Sequence, residues 1–414
     1  MRGIVVVATV AALNGCAAGV TIPSLPLAAQ AVTPAARVAT SSEAQAFPPA
    51  LRFGVARRSA ERAGVRPAAR AAGAPQTPAA PQPPPPSDTR PAFADFLADV
   101  RKEALSRGIR QEIVDAALSD IEEPLPVVLE RDHAQAEIVL PLEAYVRRRL
   151  TPTFVRAGRE AYARQRTLLE SIGKAYGVAP SIIAAIWGVE SNYGRFSGIR
   201  PTVASLATLA WDPRRSSFFR GELFDALEIL NLGDIDLAHM KGSWAGAMGQ
   251  VQFMPSSYLQ YAEDYDGDGH RDIWSTPADV IASIANYLSG RGWKGGETWG
   301  REVRVSPDVA RAVTNTVERR NGTCRATRDM TVALPSRRWQ ALGVRLVNGT
   351  PLPASMPDAS LVSGSKQHFL VYSNYDALLE YNCAHSYAIS VGLLADRIVA
   401  TGAPAPRARK SRRR

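Results

Sequence analysis

From Phe93 onward the apolar residues recur mostly at helical spacing. Phe93, Phe96, Leu97 and Val100, then Ile113, Val114 and Leu118, predict two short helices split by Gly108. Residues 142–150 read as a basic helix or loop, and Thr151-Pro152 opens a helix predicted to run to about Tyr176, with Gly177 in the C-cap position. Ile182, Ile183, Ile186 and Val189 follow Ser181, a predicted N-cap after Pro180, and predict a buried amphipathic helix that stops near Gly194. Residues 201–209 and 218–230 predict two more, the second burying Phe219, Leu223, Leu227 and Leu230. Another spans 277–288 and is closed by Gly290; helical periodicity then resumes over 387–400 until Gly402. Between Glu302 and Leu370 the pattern alternates instead. Residues 301–305, 330–334, 343–347 with the Asn348-Gly349 turn, and 368–372 read as strands of a small β subdomain. The fold class is mainly α, without an internal repeat.

The N-terminal stretch lacks such periodicity. Arg2 precedes an almost uncharged run over 3–13 that is too short to cross a bilayer, and Leu13-Asn-Gly-Cys16 ends it. This is a signal peptide whose ending resembles a bacterial lipobox, making Cys16 the lipid-modified first residue; plain cleavage and secretion is the alternative, because Asn14 departs from the usual Ala or Ser. Residues 17–90, rich in Ala, Pro and Arg, have no apolar face to offset ordering entropy, and are expected to be a disordered tether. The expected organisation is 1–16 signal, 17–90 linker, 91–300 helical core, 301–372 β subdomain, 373–403 C-terminal helix completing the core, and 404–414 basic tail.

Charge narrows the function. The chain is +10 overall, but residues 1–90 carry nine Arg against three acids and 407–414 add six cations, so the remainder is −2. A folded nucleic-acid binder needs its basic excess on the domain, and none is there. The tails suit an anionic membrane or wall polymer.

Three stretches carry candidate chemistry. Glu190 ends the apolar helix, where burial and the negative end of the helix dipole both disfavour the ionised form. A protonated carboxyl near neutral pH is what a general acid requires; a Glu at a frayed helix end, bonded to solvent or an Arg, is the plainer reading. Residues 241–255 follow with Gly242, Gly246 and Gly249 among Ser243, Gln250 and Gln252, donors and acceptors of the kind that read sugar hydroxyls and amides, although close helix packing explains the glycines equally well. Then Asp264, Asp266, Asp268 and His270 alternate around Gly269 at the sixth position, as a calcium loop requires. Ser275 stands at the twelfth position, leaving Asp279 to complete the shell or to serve the first turn of the next helix. A structural Ca²⁺ is expected, against a merely solvated acidic turn. Cys324 and Cys383 read as a disulfide in an exported chain, with two free buried thiols as the alternative.

Taken together these blocks resemble the exported lytic murein transglycosylases of the membrane-bound B type. Resemblance covers about 93–402 and rests on Gly188-Val-Glu190-Ser with Tyr193-Gly194, the 242–249 block with Gln252-Phe-Met-Pro-Ser-Ser-Tyr258, the 264–269 loop, Ala285-Asn-Tyr287, and Tyr381-Asn382 with Tyr387-Ala388. It implies a lysozyme-like helical core with a small β portion. The implied activity is cleavage of the β-1,4 bond from N-acetylmuramic acid to N-acetylglucosamine, leaving a 1,6-anhydromuramoyl end. It also implies Glu190 as the single acid/base and Ser243, Gln252, Tyr287, Tyr381, Asn382 and Tyr387 in the glycan cleft, with Tyr145 as a further cleft aromatic. The loop matches that family's calcium loop with one extra residue before Asp279, and Cys383-Ala384 departs from the usual Ser after Asn-x. A membrane-anchored monomer acting on glycan strands in the periplasm of a Gram-negative bacterium is expected.

The chemistry stands without the resemblance. A hydrolase usually needs two carboxylates flanking the bond; no second acid accompanies Glu190 in these blocks apart from the Asp cluster, which the ion is expected to occupy. One suffices if the sugar supplies its own nucleophile: Glu190 protonates the leaving oxygen, the N-acetyl carbonyl covers the anomeric carbon, and Glu190 then takes the C6 hydroxyl proton as the ring closes. Tyrosines are expected to stack on pyranose faces, with Ser243 and Gln252 on the N-acetyl group. A water-using muramidase and a non-catalytic wall-binding lipoprotein are the rivals.

Overall fold

The computed structural model describes residues 90–134, 140–213 and 216–400. The signal peptide with Cys16, the linker to residue 89 and the basic tail lie outside the described residues. The first helices are α1 (Phe93–Ser106), α2 (Gln111–Leu118), α3 (Pro126–Ala134) and α4 (Leu142–Arg149). They are followed by α5 (Pro152–Arg164), α6 (Arg166–Tyr176) and α7 (Pro180–Ser191). Strand β1 (Arg200–Pro201) precedes α8 (Thr202–Trp211) and α9 (Ser216–Leu232), then β2 (Lys241–Gly242), α10 (Pro255–Tyr261) and α11 (Pro277–Gly290). The next segment holds β3 (Gly300–Arg304), α12 (Pro307–Thr316), α13 (Arg325–Asp329), α14 (Ser336–Ala341), β4 (Arg345–Leu346), β5 (Ser360–Ser363) and β6 (His368–Val371). The described chain closes with α15 (Asn374–Tyr381) and α16 (His385–Val399).

Helix α7 is apolar on nearly every side, and residues 182–189 and Ser191 are buried. A helix without a polar face has to be surrounded; here α5, α6, α11 and α16 pack around it. Pro180 takes the first helical position and Ala179 the cap, so Ser181, expected as the cap, lies one turn position inside. The helix expected over 152–176 is two helices broken at Gln165 (φ −104°, ψ 18°). One straight rod could not serve both halves, because α5 packs on α16 while α6 packs on α11. The chain then turns 113° between α6 and α7. Glu222 of α9 reaches across to accept from Ser256 N (3.0 Å) and Oγ (2.7 Å), tying down the start of α10 beside the glycine segment.

The segment expected to be β is mixed. Its antiparallel sheet runs β4-β3-β6-β5, but α12, α13 and α14 lie within it. Residues 330–334 form only two isolated bridges, Thr331 to Arg319 and Leu334 to Ala359, because the Thr331 hydroxyl accepts the Leu361 N–H (2.8 Å) where a ladder would have a backbone acceptor. A small separate core gathers around the fully buried Trp339, whose indole donates to the Ala359 carbonyl (2.8 Å).

Candidate active site

Three successive residues in the left-handed region, Asn192 (φ 53°), Tyr193 (φ 61°) and Gly194 (φ 79°), end α7 abruptly. Two of them carry side chains, and the conformation is held from both sides. Ser191 Oγ donates to the Trp187 carbonyl and accepts from Gly194 N (3.0 Å). The Tyr193 ring folds back over α7, where a Cβ on Gly188 would stand 2.4 Å from it. Gly188 is therefore in the motif for steric reasons, not for flexibility.

This hook leaves Glu190 in the last turn, partly exposed, with its carboxyl aimed among Tyr387, Tyr381 and Arg149. Burial pushes its pKa up to about 7, against the opposing pull of the Tyr387 hydroxyl and the Arg149 charge. No second carboxylate is among the groups acting on it. Burial, reinforced by the charge of Glu190, drives the phenols of Tyr381 and Tyr387 well above their ordinary value. They remain neutral donors at any working pH.

Arg149 was not singled out by sequence. It lies at the end of α4, donates from Nη2 to the carbonyl oxygen of Val189, and stands 5.4 Å from the Phe154 ring centre. The basic run Arg147-Arg148-Arg149 was visible, but which of the three meets α7 depends on how α4 is rotated against it. Tyr145 lies one turn earlier on the same face of α4 and is partly exposed.

The tyrosines form a wall. Ring centres lie 4.7 Å apart for Tyr287 and Tyr381, 6.2 Å for the stacked Tyr381 and Tyr387, and 4.8 Å for Tyr261 and Tyr287, with Phe253 against Tyr287 and Tyr381. Tyr287 donates to the Glu380 carbonyl and Tyr381 to that of Val251, both at 2.7 Å. This corrects the stacking expectation: Tyr287 and Tyr387 are buried and packed edge or face against neighbours, so neither offers a free ring to a sugar. Gln252, also left-handed (φ 53°), lines a small cavity of about 60 Å³ with Met254, Ser257 and Tyr381, its amide donating to Gly249 O (2.8 Å). Ser243 accepts from Ala245 and Ala247 N–H groups, which leaves its own proton to donate. Asn382 is exposed where α15 ends. Gln250, expected to read sugar, is buried: it accepts from Trp187 Nε1 and donates to the Trp274 carbonyl, both at 2.8 Å. It bonds α7 to the end of the acidic loop.

In that loop the side-chain oxygens of Asp264, Asp266 and Asp268 lie within 4.8 Å of one another. Left-handed Gly267 (φ 76°) and Gly269 (φ 93°) allow the turn, and Asp264 accepts from Gly267, Asp268 and Gly269 N–H groups. The donor set is hard oxygen throughout and no cation among the described residues pairs with it, which fits calcium. The side chains of His270 and Asp279 are not in that group of three. His270 is exposed and meets Asp268 only through its backbone N–H. Asp279, fully buried, spends its oxygens on the N–H groups of Tyr265 and Asp272 (2.8 Å each), stapling both ends of the loop. Ser275 bonds to Asp272, not to the cluster.

Residues 92–396 match the family described as Transglycosylase SLT domain. The chain belongs to that family. Within it, the membrane-bound lytic murein transglycosylase B of Escherichia coli K12 is 43% identical over 154 residues, 37% of this chain and 42% of that protein, so the match spans under half of the curated relative. SltB3 of Pseudomonas aeruginosa, solved in complex with NAG-anhNAM-pentapeptide, is 40% identical, covers 74% of this chain and 79% of its own, and superposes with a TM-score of 0.67. The E. coli lytic transglycosylase Slt35, solved in complex with calcium, is 29% identical over 75% of this chain and 93% of its own, with a TM-score of 0.61. The fold is the lysozyme-like one the resemblance implied.

In this SLT-domain chain Cys324 and Cys383 are joined by a disulfide, Cα atoms 5.8 Å apart. The departure noted at Cys383-Ala384 thus has a structural use: the bridge holds the turn between Asn382 and α16, the helix that delivers Tyr387, to the start of α13.

Proposed function

We propose that the chain is a lytic transglycosylase of peptidoglycan, cutting the MurNAc-β-1,4-GlcNAc bond and leaving 1,6-anhydromuramoyl ends, with Glu190 as its only acid and base. The observation that supports this most is the solitary carboxyl with a pKa near 7 and no carboxylate partner acting on it. Retaining and inverting hydrolases separate two carboxyls by roughly 5–9.5 Å; here the surroundings of Glu190 are an arginine and two tyrosines.

Glu190 enters protonated and gives its proton to the leaving glycosidic oxygen. The positive charge that develops on the anomeric carbon is met by the substrate's own N-acetyl oxygen, which Ser243, with a free O–H, and Gln252 hold in place. Arg149 and Tyr387 stabilise the carboxylate so formed. That carboxylate takes the C6 hydroxyl proton as the oxygen closes on the anomeric carbon, and no water is consumed. Tyr145 and Asn382 contact the strand beyond the cut bond.

The relative described as membrane-bound, together with Leu13-Asn-Gly-Cys16, supports a periplasmic chain anchored by lipid on Cys16, with 17–90 as the tether and 91–300 with 373–403 as the catalytic core. The loop at 264–268 would hold a structural Ca²⁺, supplying cross-linking of the loop and no step of the reaction.

Digestion of purified sacculi followed by mass spectrometry tests the reaction. Fragments lighter by one water than the reducing-end products are expected, formed more slowly by a factor of about 10²–10⁴ with Glu190→Gln. Reducing ends would instead establish a water-using muramidase, and undiminished turnover by the variant would remove Glu190 from the chemistry. Labelled palmitate incorporated by the chain but not by Cys16→Ser tests the anchor.

A further inference from the structure

A pocket of about 510 Å³ opens on the small sheet, and none of Glu190, Arg149, Tyr381 and Tyr387 lines it. The hairpin between β5 and β6 and the start of α12 form its walls. Arg319, Lys366 and His368 line it together with the hydroxyls of Ser306, Thr314 and Ser365, and no carboxylate does. Burial holds His368 below its ordinary pKa, so the fixed charge comes from the other two. Neither pairs with an acid among the described residues; Arg319 spends one N–H on the Asp329 carbonyl (2.7 Å) and Lys366 is exposed. An acid bonded to the hairpin is committed elsewhere. Glu143 of α4 accepts from Ser365 Oγ, Lys366 N and Gln367 N at 2.6–3.1 Å, and these bonds overcome burial to hold its carboxyl at about 2.

Those bonds also tie one wall of the pocket to α4. Its hairpin is fastened to the first turn of α4, and the last residue of α4 is Arg149, beside Glu190. Along α4 the attachment point at Glu143 and the site residue Arg149 are six residues apart, a helical rise of about 9 Å. An extended four-residue peptide spans roughly 13 Å. Apolar Val305, Val313 and Leu361 are also among the lining, which suits a short peptide with acidic ends better than a bare inorganic anion.

We propose that this pocket is a subsite for the peptide stem of the glycan, in which Lys366 and Arg319 bind the stem's carboxylates while the muramoyl sugar carrying it lies at Glu190. The proposal rests on the glycan-cleaving reading and deepens it.

Two measurements test it separately from that reading. In calorimetric titration of the full chain with a soluble stem tetrapeptide, Lys366→Glu and Arg319→Ala are each expected to weaken binding at least tenfold. Lys366 makes no side-chain bond, and Lys366→Ala, which adds no charge beside Glu143, is measured in parallel and should weaken binding in the same direction. Equal binding by wild type and Lys366→Glu, or complete displacement of the peptide by an equal concentration of inorganic phosphate, would overturn the subsite. On glycan strands, Lys366→Glu should raise KM severalfold with kcat unchanged when stems are present and change nothing on strands stripped of stems by an amidase. The same KM change on both substrates would overturn the proposal while leaving the cleavage reading intact. If wild type cleaved neither substrate the cleavage reading would fall, and the peptide titration would still decide the subsite.

Discussion

The guanidinium of Arg149 donates to the carbonyl oxygen of Val189, the residue immediately before Glu190. One side chain thereby neutralises an unpaired carbonyl at the end of α7 and places a positive charge beside the acid. That charge opposes the burial that raises the Glu190 pKa. Removing it with Arg149→Ala should therefore raise that pKa further, moving the alkaline limb of the pH–rate profile to higher pH while lowering kcat about tenfold, the equivalent of roughly 1.4 kcal/mol of carboxylate stabilisation. Arg149→Lys should keep the limb near its wild-type position. A profile unmoved by Arg149→Ala would reduce the residue to a helix cap.

Glu190 links activity to stability with opposite signs. Activity needs the protonated acid, so kcat/KM should fall as pH rises through about 7. The folded-state pKa is above the ordinary 4.5, so the folded chain binds this proton more tightly than the unfolded one. The group's contribution to stability is full below pH 4.5 and is lost as pH rises through about 7. By pH 8 the ionised carboxylate should cost about 2–3 kcal/mol. Glu190→Gln should then lose a factor of about 10²–10⁴ in kcat, yet resist urea better than wild type at pH 8 and equally at pH 4. Equal urea midpoints at pH 8 would show that the carboxyl is solvated.

Gln250 holds the acid helix to the loop. Its replacement by Leu would leave the Trp187 indole N–H and the Trp274 carbonyl without partners in a buried site. Each orphaned group costs about 1–3 kcal/mol, so Gln250→Leu is expected to lower the thermal midpoint by several degrees and to lower kcat through displacement of α7. A variant that lost sugar affinity but kept full stability would restore the sugar-reading role expected from sequence.

The disulfide closes 59 residues of sequence, and loop entropy over that span contributes about 4 kcal/mol. Reduction, or Cys324→Ser with Cys383→Ser, should lower the thermal midpoint. Because Cys383 follows Asn382 and precedes Tyr387, turnover should also drop at temperatures where the chain remains folded. Full activity after reduction would confine the bridge to a role in stability.

What sequence could show follows from the range of the forces involved. The apolar residues of 182–189 revealed a buried helix but read as one amphipathic face, whereas the structure covers it on nearly every side. Glu190 was legible as its odd polar residue. The break at Gln165 was not, since both halves keep the same period and only their different partners, α16 and α11, bend the chain. Gln250 and Gln252 look alike in sequence, two residues apart; the left-handed backbone at Gln252 sends one amide to the cleft side and leaves the other inside. Arg149 was hidden among three arginines for a similar reason. Of the helices between β3 and β5, α13 and α14 are five and six residues long, too short to show a helical period, while the ten residues of α12 bury only Val313 and so carry little apolar signal.

The acidic loop separates coordination from stapling. Asp264, Asp266 and Asp268 repel one another unless an ion sits among them, whereas Asp279 holds the loop through two backbone N–H groups whether or not an ion is present. Calcium in hundredfold excess over its Kd should stabilise the chain by about 2.7 kcal/mol, read as a rise in thermal midpoint over the same sample in chelator. Asp266→Asn should abolish most of that rise and leave the chelator midpoint unchanged or higher, because it removes one repelling charge. Asp279→Ala should lower the midpoint in chelator as well, since the loop ends lose their staple. If both variants responded alike in chelator, the two roles would not be distinct; if calcium failed to move wild type at all, the loop would be a self-bonded turn and not a metal site.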